Sequence, residues 1–342
     1  MIRVKIVLAG FGNVGKGFLQ VLQEKKQFCR SRYNLDIEVH SIFRRGSALL
    51  SPRPLNIKEI LEKYSSSFSF EENHLWKPGL ELKDALDSIE PGVLVACTPS
   101  SIRDGEPGLS YIHCALDKGW HVVTADKGPL VVDFRCLKKK AERNHLALKF
   151  SGATAAALPT MDVALYSLAG AGISQVEGIL NGTTNYILTR MKEGIDYGQS
   201  LEEARSMGIA EPDPSFDVEG WDTASKILII ANAALNTDFT LNDVKVEGIT
   251  RIPPRLLSRA REKGKALKLL GRIYKKEGEF KLEVALTIVD GSRPLFGVDG
   301  TNKGITFFTD TMGAVTVTGG KSDPRGAGAS LLKDIINIYR EF

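Results

Sequence analysis

A short run near the N-terminus, Gly10-Phe11-Gly12-Asn13-Val14-Gly15, constrains the fold more than any other feature of the chain. It follows an apolar segment, residues 3–9, and opens a helical pattern with Phe18, Val21 and Leu22 on one face. In that setting each glycine has a separate role. Gly10 permits the tight turn, Gly12 lets the backbone approach a pyrophosphate, and Gly15 lets helix and strand pack closely. Phe11, Asn13 and Val14 belong to the same turn. The N–H groups of the first helical turn then offer positive potential to phosphates. A bare glycine turn is the bland alternative, but the strand before it and the helix after it point to a dinucleotide-binding domain.

The following segments extend that reading. Residues 37–43 form a second strand, closed by Arg44-Arg45-Gly46. An acidic residue there would bind the ribose 2′-OH of NAD, whereas Arg44, Arg45 and Ser47 suit a 2′-phosphate. The expected cofactor is NADP, with NAD left open. A loop-rich stretch follows, with Pro52, Pro54 and the serines 65–67. Residues 93–97 make another short strand, ended by Thr98-Pro99, and 111–118 a helix stopped by Gly119. Residues 120–124 read as strand, 137–144 as helix and 147–150 as strand. This alternation predicts an α/β architecture with a Rossmann-type, doubly wound parallel sheet.

From about residue 151 small residues and then helices dominate, including 223–235. Residues 281–289, 305–309 and 314–318 alternate like antiparallel strands. The expected layout is a dinucleotide-binding domain over 1–150, completed by a C-terminal helix within 319–342. An α+β catalytic and dimerisation domain with a mixed or antiparallel sheet covers 151–318. Gly326, in the glycine-rich turn before the last helix, is assigned to the cofactor site.

Composition narrows the class. The 342 residues are 43% hydrophobic and 25% charged, as in a globular protein with a buried core. The net charge of +4 is modest, and Lys138-Lys139-Lys140 reads as a solvated helix face, so nucleic acid is not an expected partner. No apolar run approaches the ~18 residues of a membrane span, and Met1 to Gly10 lead straight into the glycine turn rather than to a signal-peptide cleavage site. Cys29, Cys97, Cys114 and Cys136 contain no C-x-x-C pair and no zinc spacing, so reduced thiols in the cytoplasm and no metal are expected. His40, His74, His113, His121 and His145 pair with no candidate nucleophile and read as structural or surface residues.

Three further segments carry chemistry: residues 122–127, ending Ala125-Asp126-Lys127; residues 178–187, around Asn181-Gly182-Thr183-Thr184-Asn185; and residues 210–226, from Ala210-Glu211 through Asp217 and Asp222 to Lys226. Asp222 and Lys226 are spaced i, i+4 and share a helix face. Glu211, Asp213, Asp217, Glu219 and Asp222 crowd one loop, a costly density of like charge unless it meets cations. Thr183, Thr184 and Asn185 could cap a helix or present donors to a carboxylate. Lys127 ends a parallel strand, where α/β folds place ligands.

Together these motifs closely resemble the homoserine dehydrogenase family, and the similarity runs over most of the chain. The resemblance implies reversible, NAD(P)-dependent reduction of L-aspartate 4-semialdehyde to L-homoserine, on the aspartate-derived route to threonine and methionine. It implies Lys226 as general acid/base, a role that burial or coupling of its ammonium would serve. Asp222 would orient it, Lys127 would contact substrate and help relay the proton, and Glu211 and Asp217 would hold the substrate's amino and hydroxyl groups. Thr98-Pro99 would touch the nicotinamide ribose. A homodimer is the expected assembly.

The chain departs from the family in two places. The usual Ala-Asn-Lys is Ala125-Asp126-Lys127, where Asp126 could pair with a cation and alter the relay. The loop that begins with Glu in the family, and that binds sodium in some members, begins here with Ser151, which predicts a weak or absent sodium site. The sequence ending at Phe342 leads us to expect no C-terminal regulatory domain. The rival readings are an aspartate or diaminodicarboxylate dehydrogenase of similar build, and a non-catalytic nucleotide-sensing regulator.

Overall fold

The computed structural model describes every residue except 45–46, 65–69, 253–255, 257–259, 261, 321–322 and 342. The chain divides into two compact units, Met1–Ala157 with Asp323–Phe342, and Leu158–Ser322.

The first unit is built on seven strands: β1 (Ile2–Ala9), β2 (Leu35–Arg44), β3 (Ser47–Leu50), β4 (Trp76–Pro78), β5 (Val93–Ala96), β6 (His121–Thr124) and β7 (Leu148–Lys149). Their order is β4-β3-β2-β1-β5-β6-β7. Strands β2, β1, β5, β6 and β7 run parallel, and β3 and β4 add an antiparallel edge. The chain leaves β1 to one side for β2 and returns on the other side for β5. Strand order therefore reverses beside the carboxyl end of β1, the place where open α/β sheets bind ligands. Alternate residues of β1 feed two cores. Val4, Ile6 and Leu8 pack under α1 (Asn13–Tyr33) and the C-terminal helix (Pro324–Glu341), while Val7 and Ala9 pack on the opposite face. That second face is covered by α3 (Leu82–Ser88), α4 (Gly108–Asp117) and α5 (Gly128–Arg143).

Two local expectations are corrected. The stretch read as loop-rich holds β3, α2 (Ile57–Lys63) and β4; these elements are too short, and too near Pro52 and Pro54, to show a period. Helix α5 starts at Gly128 rather than near 137, with Pro129 in its first turn, where a missing N–H costs nothing. It departs from helical geometry at Asp133 (φ −145°, ψ 41°), which interrupts the apolar repeat.

The second unit carries β8 (Ile173–Ile179), β9 (Val244–Val246), β10 (Ala266–Lys276), β11 (Glu279–Val289), β12 (Lys303–Thr309) and β13 (Ala314–Gly319), in the order β13-β12-β8-β10-β11-β9. All pairings are antiparallel except β11 with β9. The central strands β8 and β10 do not show in the sequence pattern. Residues 266–271 of β10 are all buried, so no alternation marks them, and β8 ends in a buried run that includes a carboxylate, Glu177, ion-paired to Arg272 and Arg293. Helix α11 (Trp221–Ala234) lies close on this sheet: a Cβ at Gly271 would sit 3.0 Å from the Thr223 methyl. The remaining helices of the unit include α8 (Gly182–Lys192), α9 (Tyr197–Ser206) and α10 (Ser215–Val218). Among the described residues no helix is long and apolar enough to cross a membrane.

Candidate active site

In the first unit the turns after β1 and β5 lie against each other. Gly10 has φ +106°, and a Cβ there would fall 2.3 Å from the Cys97 carbonyl oxygen. A Cβ on Gly15 would fall 2.1 Å from the Gly10 carbonyl oxygen. The fold itself demands both glycines. Gly12 differs: φ is −81°, and an added Cβ would meet no atom within 4 Å. Its open side belongs to a cavity of about 540 Å³ lined also by Gly10, Phe11, Asn13, Lys16, Phe43, Arg44, Thr98, Pro99 and Tyr111. Gly12 is the N-cap of α1 and offers no side-chain acceptor, and the first turn has no acidic residue. A helix end so arranged accepts a phosphate.

Two cations share that cavity. The Lys16 ammonium is held below its ordinary pKa, first by burial and then by the Arg44 charge. An anion bound there relieves both effects. Sequence reasoning passed over Lys16, although a lysine in the first turn of a helix opposes the macrodipole and was the available signal. Arg45 lies outside the described residues. Val14 packs on the core under α1, Gly15 lies beneath Gly10, and neither lines the cavity. Nor does Gly326, whose N–H donates to Asp323 Oδ1 (2.6 Å) in the first turn of the C-terminal helix. Beside it, a Cβ on Gly328 would fall 2.5 Å from the backbone of Gly17 in α1. Gly328 serves a helix crossing.

Thr98 and Pro99 form the other wall. The Thr98 hydroxyl donates to Asp126 Oδ2 (2.6 Å), and the Gly128 N–H donates to Asp126 Oδ1 (2.9 Å). Asp126 is 1% exposed, and burial raises its pKa against the hydroxyls of Thr98 and Ser100, the Gly128 N–H and the Lys127 charge. The cation pairing expected for Asp126 is thus mainly replaced by hydroxyl and amide donors. Lys127 is half-buried at the start of α5, its N–H donating to Ser100 Oγ (3.0 Å). Cys97 has its thiol pKa pushed up by burial and then by the Asp126 charge, which suits a packing residue rather than a nucleophile.

In the second unit α11 opens at Gly220, whose φ of +92° turns the chain into the helix. Asp222 and Lys226 follow on its inner face. Lys226 Nζ donates to Asp222 Oδ2 (2.5 Å) and to the Leu180 carbonyl (2.8 Å), with only 14% of its side chain exposed. Asn181, directly after Leu180, donates from one Nδ2 to Asp217 Oδ1 and Asp222 Oδ2, both at 2.8 Å. Asp217 has its pKa raised first by burial and then by the Asp222 charge, while Lys226, Thr183 and Asn181 oppose the rise. One amide thus spaces two carboxylates that flank one ammonium.

Asn181 also corrects the expected cap. Its Oδ1 accepts the Thr184 N–H (2.9 Å), making it the N-cap of α8. The Thr183 hydroxyl donates to the Ile209 carbonyl, and the Thr184 hydroxyl donates back to Asn181. An asparagine before a glycine that opens a helix was the signal. Asn185 points elsewhere. Its Nδ2 donates to the carbonyls of Val298, Gly300 and Asn302, and the buried Lys268 donates to its Oδ1. Of the crowded acids, Asp217 and Asp222 converge on Lys226. Glu211 and Glu219 are exposed, and Asp213 accepts the Ser215 N–H.

Ser151 begins α6 (Ser151–Thr154). Its N–H and hydroxyl donate to Asp334, and its hydroxyl accepts from the Lys333 ammonium (2.8 Å). A lysine charge at that distance, on a neutral oxygen, does not suit a sodium ligand.

The family model for homoserine dehydrogenase matches residues 159–336. A homoserine dehydrogenase of Methanocaldococcus jannaschii is 37% identical over 340 residues, covering 98% of each chain. An NAD(+)-dependent homoserine dehydrogenase of Pseudomonas canavaninivorans is 29% identical, covering 99% of this chain and 97% of its own. The crystal structure of a homoserine dehydrogenase from Thiobacillus denitrificans superposes with a TM-score of 0.84 at 25% identity, over 99% of this chain and 74% of that one.

Proposed function

We propose that Lys226 carries the reacting proton of a homoserine dehydrogenase, the family to which the chain belongs. The reaction is the reversible, nicotinamide-dependent reduction of L-aspartate 4-semialdehyde to L-homoserine. The observation that carries the role is the placement of the Lys226 ammonium, withdrawn from solvent between the Asp222 carboxylate and the Leu180 carbonyl.

When bound, the dinucleotide supplies or accepts the hydride. Gly12, the first turn of α1 and the cations Lys16 and Arg44 hold its phosphates, and Thr98 and Pro99 bound its ribose side. Lys226 gives a proton to the oxygen of the reduced carbon and takes it back in the reverse direction. Asp222 keeps the lysine in place. Asp217, set by Asn181, and Glu211 bind the amino and hydroxyl groups of homoserine; Thr184 shapes that region through the Asn181 cap, and Thr183 through its hydrogen bond to Asp217. Lys127, at the start of α5, contacts the substrate and helps relay the proton, a role supported by the family resemblance. Purified protein supplied with L-homoserine and either NADP or NAD should generate reduced nicotinamide, followed by absorbance. Turnover of aspartate or a diaminodicarboxylate, with homoserine inert, would reject the assignment.

We further infer NADP as the preferred cofactor, because Lys16 and Arg44 place two positive charges in one cavity. A homodimer is supported by the half-buried Ala285 to Ile288 of β11 and by Val315 and Val317 of β13, which leave apolar area on the sheet; light scattering tests it. A cytoplasmic location is supported by the free thiols of Cys29, Cys97, Cys114 and Cys136.

A further inference from the structure

Away from both sites, helices α4 and α5 of the first unit bring together three side chains of different ligand type. His113 projects from α4, and Asp133 and Cys136 from α5, with one ligand atom of each lying within 4.8 Å of the others. We propose that His113, Asp133 and Cys136 bind a borderline-soft divalent cation, of which zinc is the type, with water as fourth ligand.

The spacing fits an ion pair and a shared metal ion alike. His113 Nε2 and Asp133 Oδ2 are 3.3 Å apart. Two ligands held ~2.0 Å from one tetrahedral zinc are separated by ~3.3 Å. The thiolate edge of such a site is roughly 3.6 Å, so with ligand atoms within 4.8 Å the Cys136 sulfur needs at most about 1.2 Å of approach to each partner, which an exposed thiol makes by rotating about its own bonds.

Helix α5 leaves helical geometry at one residue, Asp133, with φ −145° and ψ 41°. Asp133 is the residue that faces His113 across the helix contact, and Cys136 follows it one turn later. Imidazole, thiolate and carboxylate are the donor set zinc selects, and three protein ligands with one open position form an accessible site. No C-x-x-C or H-x-x-x-H spacing announces it, because the ligands come from two helices twenty residues apart in sequence. On binding, the Cys136 thiol loses its proton to solvent and His113 coordinates through a neutral nitrogen. The cation would tie α4 to α5, the helix that begins directly after Lys127.

The test is titration of the full chain, freed of metal with a chelator, with cobalt(II). The expected result is a near-ultraviolet thiolate-to-cobalt band with tetrahedral visible bands, saturating at one equivalent and bleached by zinc. Cys136→Ser should abolish the near-ultraviolet band, and His113→Ala should weaken binding by about tenfold or more. Cys114→Ser should leave the spectrum intact. Zinc should raise the unfolding temperature of the parent and not that of Cys136→Ser, and the Cys136→Ser variant without metal should unfold like the parent. Absence of a thiolate band in the parent, or its persistence in Cys136→Ser, overturns the proposal.

Discussion

The Lys226 ammonium lies 2.5 Å from the carboxylate of Asp222, the residue one helical turn before it on α11. A pair exposed at that spacing would contribute a few tenths of a kcal/mol. This one is enclosed, with side-chain exposures of 14% and 7%, and a backbone carbonyl completes the lysine's shell. Enclosure fixes the lysine's position, which a surface pair does not.

Replacing Lys226 by alanine should therefore lower kcat by ~10²–10⁴, the usual cost of losing a positioned acid/base. Nucleotide affinity, measured by fluorescence of the reduced cofactor, should stay within about twofold, since the cavity proposed for it is lined by residues of the first unit and Lys226 belongs to the second. Full turnover in this variant would remove Lys226 from the mechanism.

Gly12 and Gly10 should respond differently to alanine. Gly12 has ordinary φ and open space, so Gly12→Ala should unfold within about 0.5 kcal/mol of the parent yet bind NADP at least about tenfold more weakly. Gly10→Ala combines φ +106° with a contact at 2.3 Å to the Cys97 oxygen, and should lose about 2 kcal/mol or more. Denaturant unfolding and nucleotide titration on both variants check the contrast. Equal behaviour would show that Gly12 serves the fold and not the ligand.

Arg44→Ala should change the choice of cofactor. Loss of a charged hydrogen bond, about 1.5–3 kcal/mol, raises the KM for NADP roughly ten- to a hundredfold. The KM for NAD should change little. Steady-state kinetics with both cofactors would settle it, and parallel losses for the two would refute recognition of a 2′-phosphate by Arg44.

The raised pKa of Asp217 makes stability depend on pH in a definite direction. Above the ordinary aspartate value of roughly 4, the unfolded chain has ionised while the folded chain still holds the proton. The folded state therefore binds more protons, and stability falls as pH rises through the raised value. Asp217→Asn removes that titrating carboxyl. The variant should melt above the parent near pH 8, the gap closing towards pH 4, and its kcat/KM should fall. A parent that is the more stable at the higher pH would contradict the assignment.

Much was already written in the chain. Gly10, Gly12 and Gly15, set between an apolar strand and an amphipathic helix, read as a nucleotide turn from their neighbours in sequence; close backbone contacts then demand Gly10 and Gly15, whereas Gly12 leaves open space. The i, i+4 spacing of Asp222 and Lys226 likewise follows from helical periodicity alone. Strands β8 and β10 were hidden because burial on both faces erases alternation.

Other relationships arise only when distant segments meet. Asn181 reaches Asp217 and Asp222, Lys16 shares a cavity with Arg44, and Asp126 takes a donor from Thr98. Asn185, which reads locally like a substrate contact, is occupied by the 298–302 loop. Periodicity and turn chemistry are short-range and survive in one dimension. Which polar groups satisfy one another, and which charges are buried together, depends on how strands and helices far apart in the chain are packed, and that is decided only by the fold.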